Sequence, residues 1–280
     1  MAGLVSFVVL LLCPLPASAQ SAVADPKPET GPIQDNSFLV EEAYNQEPGV
    51  VQHIQQFVWT PSSGAWIYTF TQEWPVTGVK HQLSYTIPAA RVTGEGRAAT
   101  GLGDILLNYR YQLVGDGEAQ VAMAPRLSAL LPTGSAPRRL GAGGAGAQIN
   151  VPVSVVLSSR FQANGNAGAT WLPAAKNERR ERAGTLGYNF GASLIWRGSA
   201  TFDLMLEAAW ARTETPSSPG RVQGNRACLI SPGMRWAYNF GNGLQIVPGI
   251  GVPIGVGPSR DRSVLLYLSF EHPFEHAQAR

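Results

Sequence analysis

Segments in which apolar and polar side chains alternate recur along most of the chain. Between Asp104 and Leu113, for example, apolar side chains occupy every second position from Ile105, and mostly polar ones lie between them. Because successive side chains of a strand point to opposite faces, each segment would be a strand with one apolar and one mostly polar face. Many segments are longer than the five or six residues usual in soluble sheets, and they match the roughly 9–11 residues of a tilted strand that crosses a bilayer.

The alternation predicts twelve strands joined by connections of two kinds. The strands are expected at residues 50–59, 65–75, 79–88, 103–113, 118–131, 146–157, 160–172, 185–197, 200–212, 226–238, 243–256 and 262–272. Tight turns are expected at 75–78, 114–117, 158–159, 197–199 and 239–242, and longer polar loops at 89–102, 132–145, 173–184 and 213–225. The links at 60–64 and 257–261 are shorter than the other connections expected at the long-loop end.

Turns at one end and loops at the other are typical of a bacterial outer-membrane barrel, and an even strand count places both termini in the periplasm. An open sheet edge in hydrocarbon would leave backbone groups unpaired, so the sheet is expected to close on itself. We therefore predict an all-β fold: a transmembrane antiparallel up-and-down β-barrel over residues 50–274, followed by a tail at 275–280. Its partners would be outer-membrane lipid and lipopolysaccharide. Arginines in the outer loops, such as Arg138 and Arg139, are the residues that could bind lipopolysaccharide phosphates.

The composition and the N-terminus agree with export. Charged residues are only 14% of the chain, against about 25% in a typical soluble domain. The net charge of +2 gives no basic footprint for nucleic acid. Apolar residues 4–12 and the small residues Ala17-Ser18-Ala19 predict a signal peptide over 1–19, although no basic residue precedes the apolar run. An uncleaved anchor is the alternative.

Residues 20–49 differ from the barrel sequence. Asn36 or Ser37 could cap a helix that begins near Phe38, with Glu41 and Glu42 in its first turns. The sequence permits two interpretations of this stretch: a short periplasmic or lumenal helix that partly plugs the pore, or a flexible linker.

The polar faces of the strands would line the lumen. The residues expected there are Lys80, Asp104, Asn108, Arg110, Arg126, Gln148, Asn150, Arg160, Asp203, Glu207 and Arg235, with Gln162 and Asn164 beside them. Charges of both signs would tune the selectivity of a watery path. Alternatively they could cross-pair and fill the interior, because twelve strands lie between the filled eight-stranded barrels and the open sixteen-stranded porins.

Little in the sequence indicates chemistry. Neither His53 and His81 nor His272 and His276 combines with a serine and an orienting group, and the spacing of the four histidines is not that of metal ligands. Cys228 would stand alone once the signal peptide is removed. We expect no catalytic residues, no metal and no cofactor, and hence no enzyme.

Four motifs resemble the meta-pathway phenol-degradation family. They are Asp35–His53 (DNSFLVEEAYNQEPGVVQH), Glu73-Trp74-Pro75, Gly101–Asp104 (GLGD) and Leu131–Gly134 (LPTG). Members of this family are regarded as outer-membrane transporters of Gram-negative bacteria that pass aromatic or other small organic compounds. The resemblance implies a barrel in the outer membrane, and a channel or transporter whose solutes could include aromatic or hydrophobic compounds. The last strand has apolar residues at every second position before the aromatic Phe274, which resembles the terminal signal read by the outer-membrane assembly machinery, so that machinery is an expected partner. A structural or adhesive barrel with a filled lumen is the alternative function.

Overall fold

The computed structural model describes residues 33, 35–94, 97–257 and 260–274. The predicted signal peptide at 1–19 and the tail at 275–280 lie outside the described residues.

The described chain is almost entirely β-strand. The strands are β1 (Val50–Thr60), β2 (Ala65–Pro75), β3 (His81–Gly94), β4 (Arg97–Leu102), β5 (Ile105–Tyr111), β6 (Val121–Met123), β7 (Arg126–Leu131), β8 (Gly146–Val156), β9 (Phe161–Lys176), β10 (Arg182–Ser199), β11 (Phe202–Ser218), β12 (Arg221–Trp236), β13 (Tyr238–Asn239), β14 (Gln245–Gly251), β15 (Ile254–Val256) and β16 (Val264–Pro273). One short 3₁₀ helix, Ala136–Arg138, follows β7.

These segments build a closed antiparallel barrel of twelve strands. Four of the twelve are interrupted, so that β4 with β5, β6 with β7, β12 with β13, and β14 with β15 each form one barrel strand. Two of the interruptions contain Pro125 and Pro253, which have no N–H to donate to a neighbouring strand. The predicted strand number, antiparallel order and closure are confirmed.

Closure occurs between β1 and β16. Their register runs from Val50 opposite Pro273 to Trp59 opposite Val264. The barrel therefore begins and ends at the same rim, together with the short turns that precede β3, β9 and β11. We call this rim the periplasmic end and the opposite rim the outer end.

Three of the four predicted outer loops are mostly strand. The expected loop at 89–102 is a ladder between β3 and β4, and those at 173–184 and 213–225 are extensions of the β9–β10 and β11–β12 hairpins. The expectation of loops there was wrong. Strands that project beyond a bilayer have water on their outer side, so both faces can be polar and the alternation disappears although the backbone ladder continues. Residues 132–145 do form a loop, as predicted.

The barrel wall has its apolar side outward. Exposed side chains between the rims include Leu107, Tyr109, Leu127, Ile149, Phe190, Leu194, Leu206 and Leu266. Inward positions of the same strands are buried and largely polar, the reverse of a soluble domain. This arrangement suits a barrel whose exterior meets lipid. In the described part of the chain, none of the helical structure is long and apolar enough to cross a membrane.

Candidate functional site

A stretch of chain before β1 lies within the barrel. Ile33 and residues 35–46, which we call the lumenal segment, are all buried, although they form neither strand nor helix. The structure does not contain the helix predicted to begin near Phe38, and the backbone there has bends instead. Polar side chains of the wall bond to the backbone groups that a helix would have satisfied internally.

Glu207 on β11 holds the centre of this segment. Its carboxylate accepts hydrogen bonds from three successive backbone amides, those of Phe38 (3.2 Å), Leu39 (2.7 Å) and Val40 (3.1 Å). Gln56 on β1 donates to the Phe38 carbonyl at 2.7 Å. Charge-assisted bonds of this kind are stronger than neutral ones, so the wall fixes the backbone path at this point.

A buried ion pair holds the next part. Arg126 on β7 donates to both carboxylate oxygens of Glu41, at 2.8 and 3.3 Å. Asn150 on β8 also donates to Glu41, and Asn108 on β5 accepts from Arg126 at 3.1 Å. The fork of the guanidinium and the two carboxylate oxygens match in geometry, which orients the Glu41 side chain as well as neutralising it.

Arg235 on β12 makes the second charged contact. It pairs with Asp203 on β11 at 2.9 Å and with Glu42 at 3.4 Å, and it donates to the Asn36 carbonyl at 2.6 Å. Gln162 on β9 donates to the other oxygen of Glu42 at 2.7 Å. Charges of opposite sign therefore lie on the segment and on the wall facing it.

Asp35 attaches the beginning of the segment to the closing strands. Tyr267 and Ser269 on β16 each donate to its carboxylate at 2.6 Å, and Gln52 on β1 donates at 3.0 Å. Burial raises the pKa of the Asp35 carboxyl to about 6, and the nearby Arg235 guanidinium limits the rise. Burial likewise raises the pKa of Glu42, again against the effect of Arg235.

At the periplasmic end of the segment, side-chain amides of the wall bond to its backbone. Gln112 accepts from the Asn45 backbone at 2.9 Å and donates to the Ala43 carbonyl at 2.8 Å. The Gln82 side chain accepts from the Gln46 backbone at 2.6 Å. The segment thus contacts strands around most of the barrel and crosses its interior.

Glycines of the wall make room for Phe38. A Cβ atom on Gly249 would lie 2.5 Å from the Phe38 ring, and one on Gly233 would lie 2.8 Å from it. The ring also packs on Tyr267, with centroids 5.1 Å apart. Small residues on β12 and β14 are therefore needed where the ring seats.

The outer half of the lumen has an apolar strip on one side. Val58 on β1, Ile67 on β2, Val92 on β3 and Leu265 on β16 point inward and are 5% exposed or less. Leu140, from the outer loop, belongs to the same cluster. Across the barrel, inward positions at the same level carry polar groups, such as the Gln148 amide that donates to Thr170 at 2.9 Å.

Asp104 fixes the outer loop. Its carboxylate accepts from the backbone amides of Gly134 (2.8 Å) and Ala142 (2.6 Å), which joins the GLGD motif to the LPTG motif. The Thr133 hydroxyl donates to the Gly103 carbonyl at 2.9 Å. Any side chain at Gly134 would collide with the Leu140 backbone. These motif residues hold the loop so that Leu140 reaches into the barrel.

The structure places most of the predicted lumenal residues inside the barrel. The inward and buried ones are Asn108, Arg110, Arg126, Gln148, Asn150, Asp203, Glu207 and Arg235. Asp104 is buried too, but it bonds to the outer loop. Lys80 and Arg160 instead lie exposed in the turns before β3 and β9, because the wall strands start later than the alternation suggested.

Sequence reasoning did not assign the partners of these wall residues. Asp35, Glu41 and Glu42 are at most 1% exposed, yet nothing in the strand periodicity marks them. The available signal was a balance of charge: six carboxylates between the predicted signal peptide and the first strand, these three among them, and arginines at inward positions of the strands.

Comparisons with known proteins bear on the fold. No family model matches the chain, and no curated protein matches it. An outer membrane channel from Pseudomonas putida F1 is similar in structure, with a TM-score of 0.58 and 14% identity, over 90% of this chain and 100% of that one. The NanC porin gives a TM-score of 0.52 and 10% identity, over 78% of this chain and 98% of that one. At such low sequence identities the similarity shows that the folds are alike and no more.

The outward apolar surface, the closed sheet and this fold similarity lead to one conclusion. The chain is a closed, twelve-stranded antiparallel β-barrel of the outer membrane.

Proposed function

We propose that the barrel is an outer-membrane channel for small organic solutes, and that aromatic or hydrophobic compounds are among them. The observation that carries this proposal is the lumenal segment. The twelve strands pair into a closed ring through strand–strand hydrogen bonds, and the interior is wide enough to hold a stretch of main chain. On this proposal the lumenal segment, which lies across the interior, is the part of the chain that limits passage.

The apolar strip supports the solute class. Val58, Ile67 and Leu265 are covered by a cluster that includes Phe38 and Leu140. Movement of the lumenal segment would uncover this aliphatic surface in the outer half, opposite amide and hydroxyl groups. A ring with one polar substituent could lie on the aliphatic side and bond to the other. Passage of this kind needs no covalent step, in keeping with the expectation that the protein is not an enzyme.

The resemblance to the meta-pathway phenol-degradation family points in the same direction, and membership stays a prediction. The Pseudomonas putida structure is named as a channel, and extending that role to this chain is part of the proposal. Contacts with lipopolysaccharide and with the assembly machinery also stay predictions. Of the outer arginines, Arg138 donates to the Thr100 carbonyl at 2.8 Å, and Arg139 pairs with Glu178 at 3.3 Å.

A structural or adhesive barrel with a filled lumen is the second candidate. The buried pairs Arg126–Glu41 and Arg235–Asp203 favour it, because a permanently filled interior would use such contacts for rigidity. The two functions differ in one measurable property, the permeability of the assembled barrel.

Liposome swelling tests the proposal. Vesicles containing the folded chain should swell faster than empty vesicles in a neutral aryl glycoside, which lipid excludes, and faster than in a sugar of similar mass. Ile67→Thr, which makes the apolar strip more polar, should reduce the preference for the aromatic solute. Ile149→Thr, the same change at an exposed outward position of β8, should leave that preference unchanged. Swelling equal to that of empty vesicles would contradict the channel and favour the filled barrel.

A further inference from the structure

Two histidines meet on the outside of the barrel where the first and last strands pair. His53 is the fourth residue of β1 and lies opposite Phe270, while His272 is the penultimate residue of β16 and lies opposite Val51. Both rings are partly exposed, close to the periplasmic rim. They are diagonal cross-strand neighbours, an arrangement that brings long side chains together.

The distance between the rings suits a metal ion. The Nε2 atoms of His53 and His272 are 3.3 Å apart. Zinc binds imidazole nitrogen at about 2.0–2.1 Å with tetrahedral geometry, which places two ligand nitrogens about 3.3–3.4 Å apart. Cis ligands of a square-planar ion at the same bond length would lie only about 2.8–3.0 Å apart. The spacing therefore favours a tetrahedral ion over a square-planar one.

The surroundings orient both rings for this role. His272 Nδ1 lies 3.1 Å from the Pro273 carbonyl oxygen, and a proton on Nδ1 that is donated there leaves the Nε2 lone pair free. Ligating histidines in proteins typically make such a bond from their other nitrogen. The His53 ring stacks on Phe270, with centroids 4.8 Å apart, and on Phe70, at 6.1 Å.

We infer that His53 and His272 form a two-histidine binding site for zinc across the seam between β1 and β16. The described residues contain no group of three or more histidine, cysteine or carboxylate side chains placed to hold a metal, so two protein ligands are assigned. Water or lipid phosphate oxygens at the rim would complete the coordination. Without metal, the same nitrogens can share one N–H···N hydrogen bond. This inference is independent of what passes through the lumen.

A bound ion would join the two strands that close the barrel. Since a ligand that binds only the folded state stabilises it by mass action, zinc should raise the unfolding temperature. Binding requires neutral imidazoles, so acid that protonates the pair should abolish the effect.

The test uses the full mature chain folded in detergent, with zinc chloride as the probe. Zinc should raise the temperature at which the folded electrophoretic band is lost by several degrees in the wild type, and by none in His53→Gln or His272→Gln. His81→Gln is the matched control, because His81 lies at the same end of the barrel on β3 and contacts Tyr109. His276→Gln controls for the tail, and both controls should respond like the wild type.

Cobalt supplies a second readout that does not depend on stability. Tetrahedral Co²⁺ absorbs strongly in the visible range, and this band should appear with the wild type and with His81→Gln but not with His53→Gln. A zinc shift that survives in His53→Gln, or disappears in His276→Gln, would overturn the assignment. Absence of any zinc or cobalt response in the wild type would show only a hydrogen-bonded histidine pair, and would equally overturn it.

Discussion

Glu41 and Arg126 form an ion pair that lies wholly inside the barrel, with side chains 0% and 2% exposed. Removing one partner of a buried pair typically costs about 3–5 kcal/mol, because the other charge is left without compensation. In the closed barrel that cost should appear as weaker seating of the lumenal segment.

We predict that Glu41→Gln raises the ionic conductance of single barrels in planar bilayers. A loss of about 3 kcal/mol corresponds to roughly a hundredfold shift of the seating equilibrium towards the unseated state. Glu214→Gln is the control, because it breaks an ion pair with Arg212 of the same length, 2.8 Å, that does not involve the segment. Equal conductance of the two variants would argue against the role of the Glu41 contact.

Asp104 gives a prediction for the outer loop. Asp104→Ala removes the acceptor for the Gly134 and Ala142 amides, and each lost charge-assisted bond is worth about 1.5–3 kcal/mol. Trypsin should then cut after Arg138 or Arg139 several times faster than in the wild type. The matched control is Asp116→Ala, which removes an acceptor for the Glu118 amide in a turn at the opposite rim. Unchanged cleavage at Arg138–Arg139 would contradict the anchoring role of Asp104.

At the scale of elements, the lumenal segment and the wall fit each other by shape as well as by charge. A methyl group on Gly249 would lie 2.5 Å from the Phe38 ring, whereas one on Gly165 would meet its nearest neighbour at 3.6 Å. Interiors packed at such density do not absorb an added methyl without movement.

Gly249→Ala should therefore unseat the segment and increase conductance, and Gly165→Ala should not. Phe38→Ala in the Gly249→Ala background should restore part of the fit, because the ring is what the methyl meets. A double-mutant cycle on conductance measures the coupling between the two positions. Additive effects of the two changes would contradict a direct contact.

The extent to which the sequence predicts the structure differs between elements. The strands followed from the alternation because the lipid-facing and interior sides impose opposite polarity, as in β5 with Leu107 outward and Asn108 inward. The extended hairpins did not, because water on both sides of a projecting strand removes that contrast. Lys80 and Arg160 were assigned to the lumen because the alternation was extended beyond the first residue of β3 and of β9, into the preceding turns.

The lumenal segment was not predictable for a different reason. Its conformation is set by side chains such as Glu207 and Gln112, which are distant in sequence and replace the hydrogen bonds of a regular element. Local propensity near Asn36 and Glu41 favoured a helix, and tertiary contacts overrode it. Only the positions of the inward arginines indicated that carboxylates would be needed inside.

At the scale of the whole molecule, the proposed channel is a barrel whose solute path is controlled by the lumenal segment. The wall closes through β1 and β16 without the segment, and the segment is held by side-chain contacts of the kind that Ser37 makes with Ser193, whose hydroxyl oxygens are 2.9 Å apart. Movement of the segment is thus compatible with an intact wall.

A reversible disulfide across that contact tests this claim most directly. In a Cys228→Ser background, Ser37→Cys with Ser193→Cys should form a bond that fixes the segment. The two hydroxyl oxygens lie 2.9 Å apart, so a movement of about 1 Å would bring the two sulfur atoms to the roughly 2.05 Å of a disulfide. We predict that the oxidised double variant is silent in planar bilayers and passes solute in liposomes no faster than empty vesicles. Reduction should restore both activities, and the single Ser37→Cys variant should not respond to oxidant. Identical conductance and flux before and after reduction of a fully oxidised barrel would contradict the account.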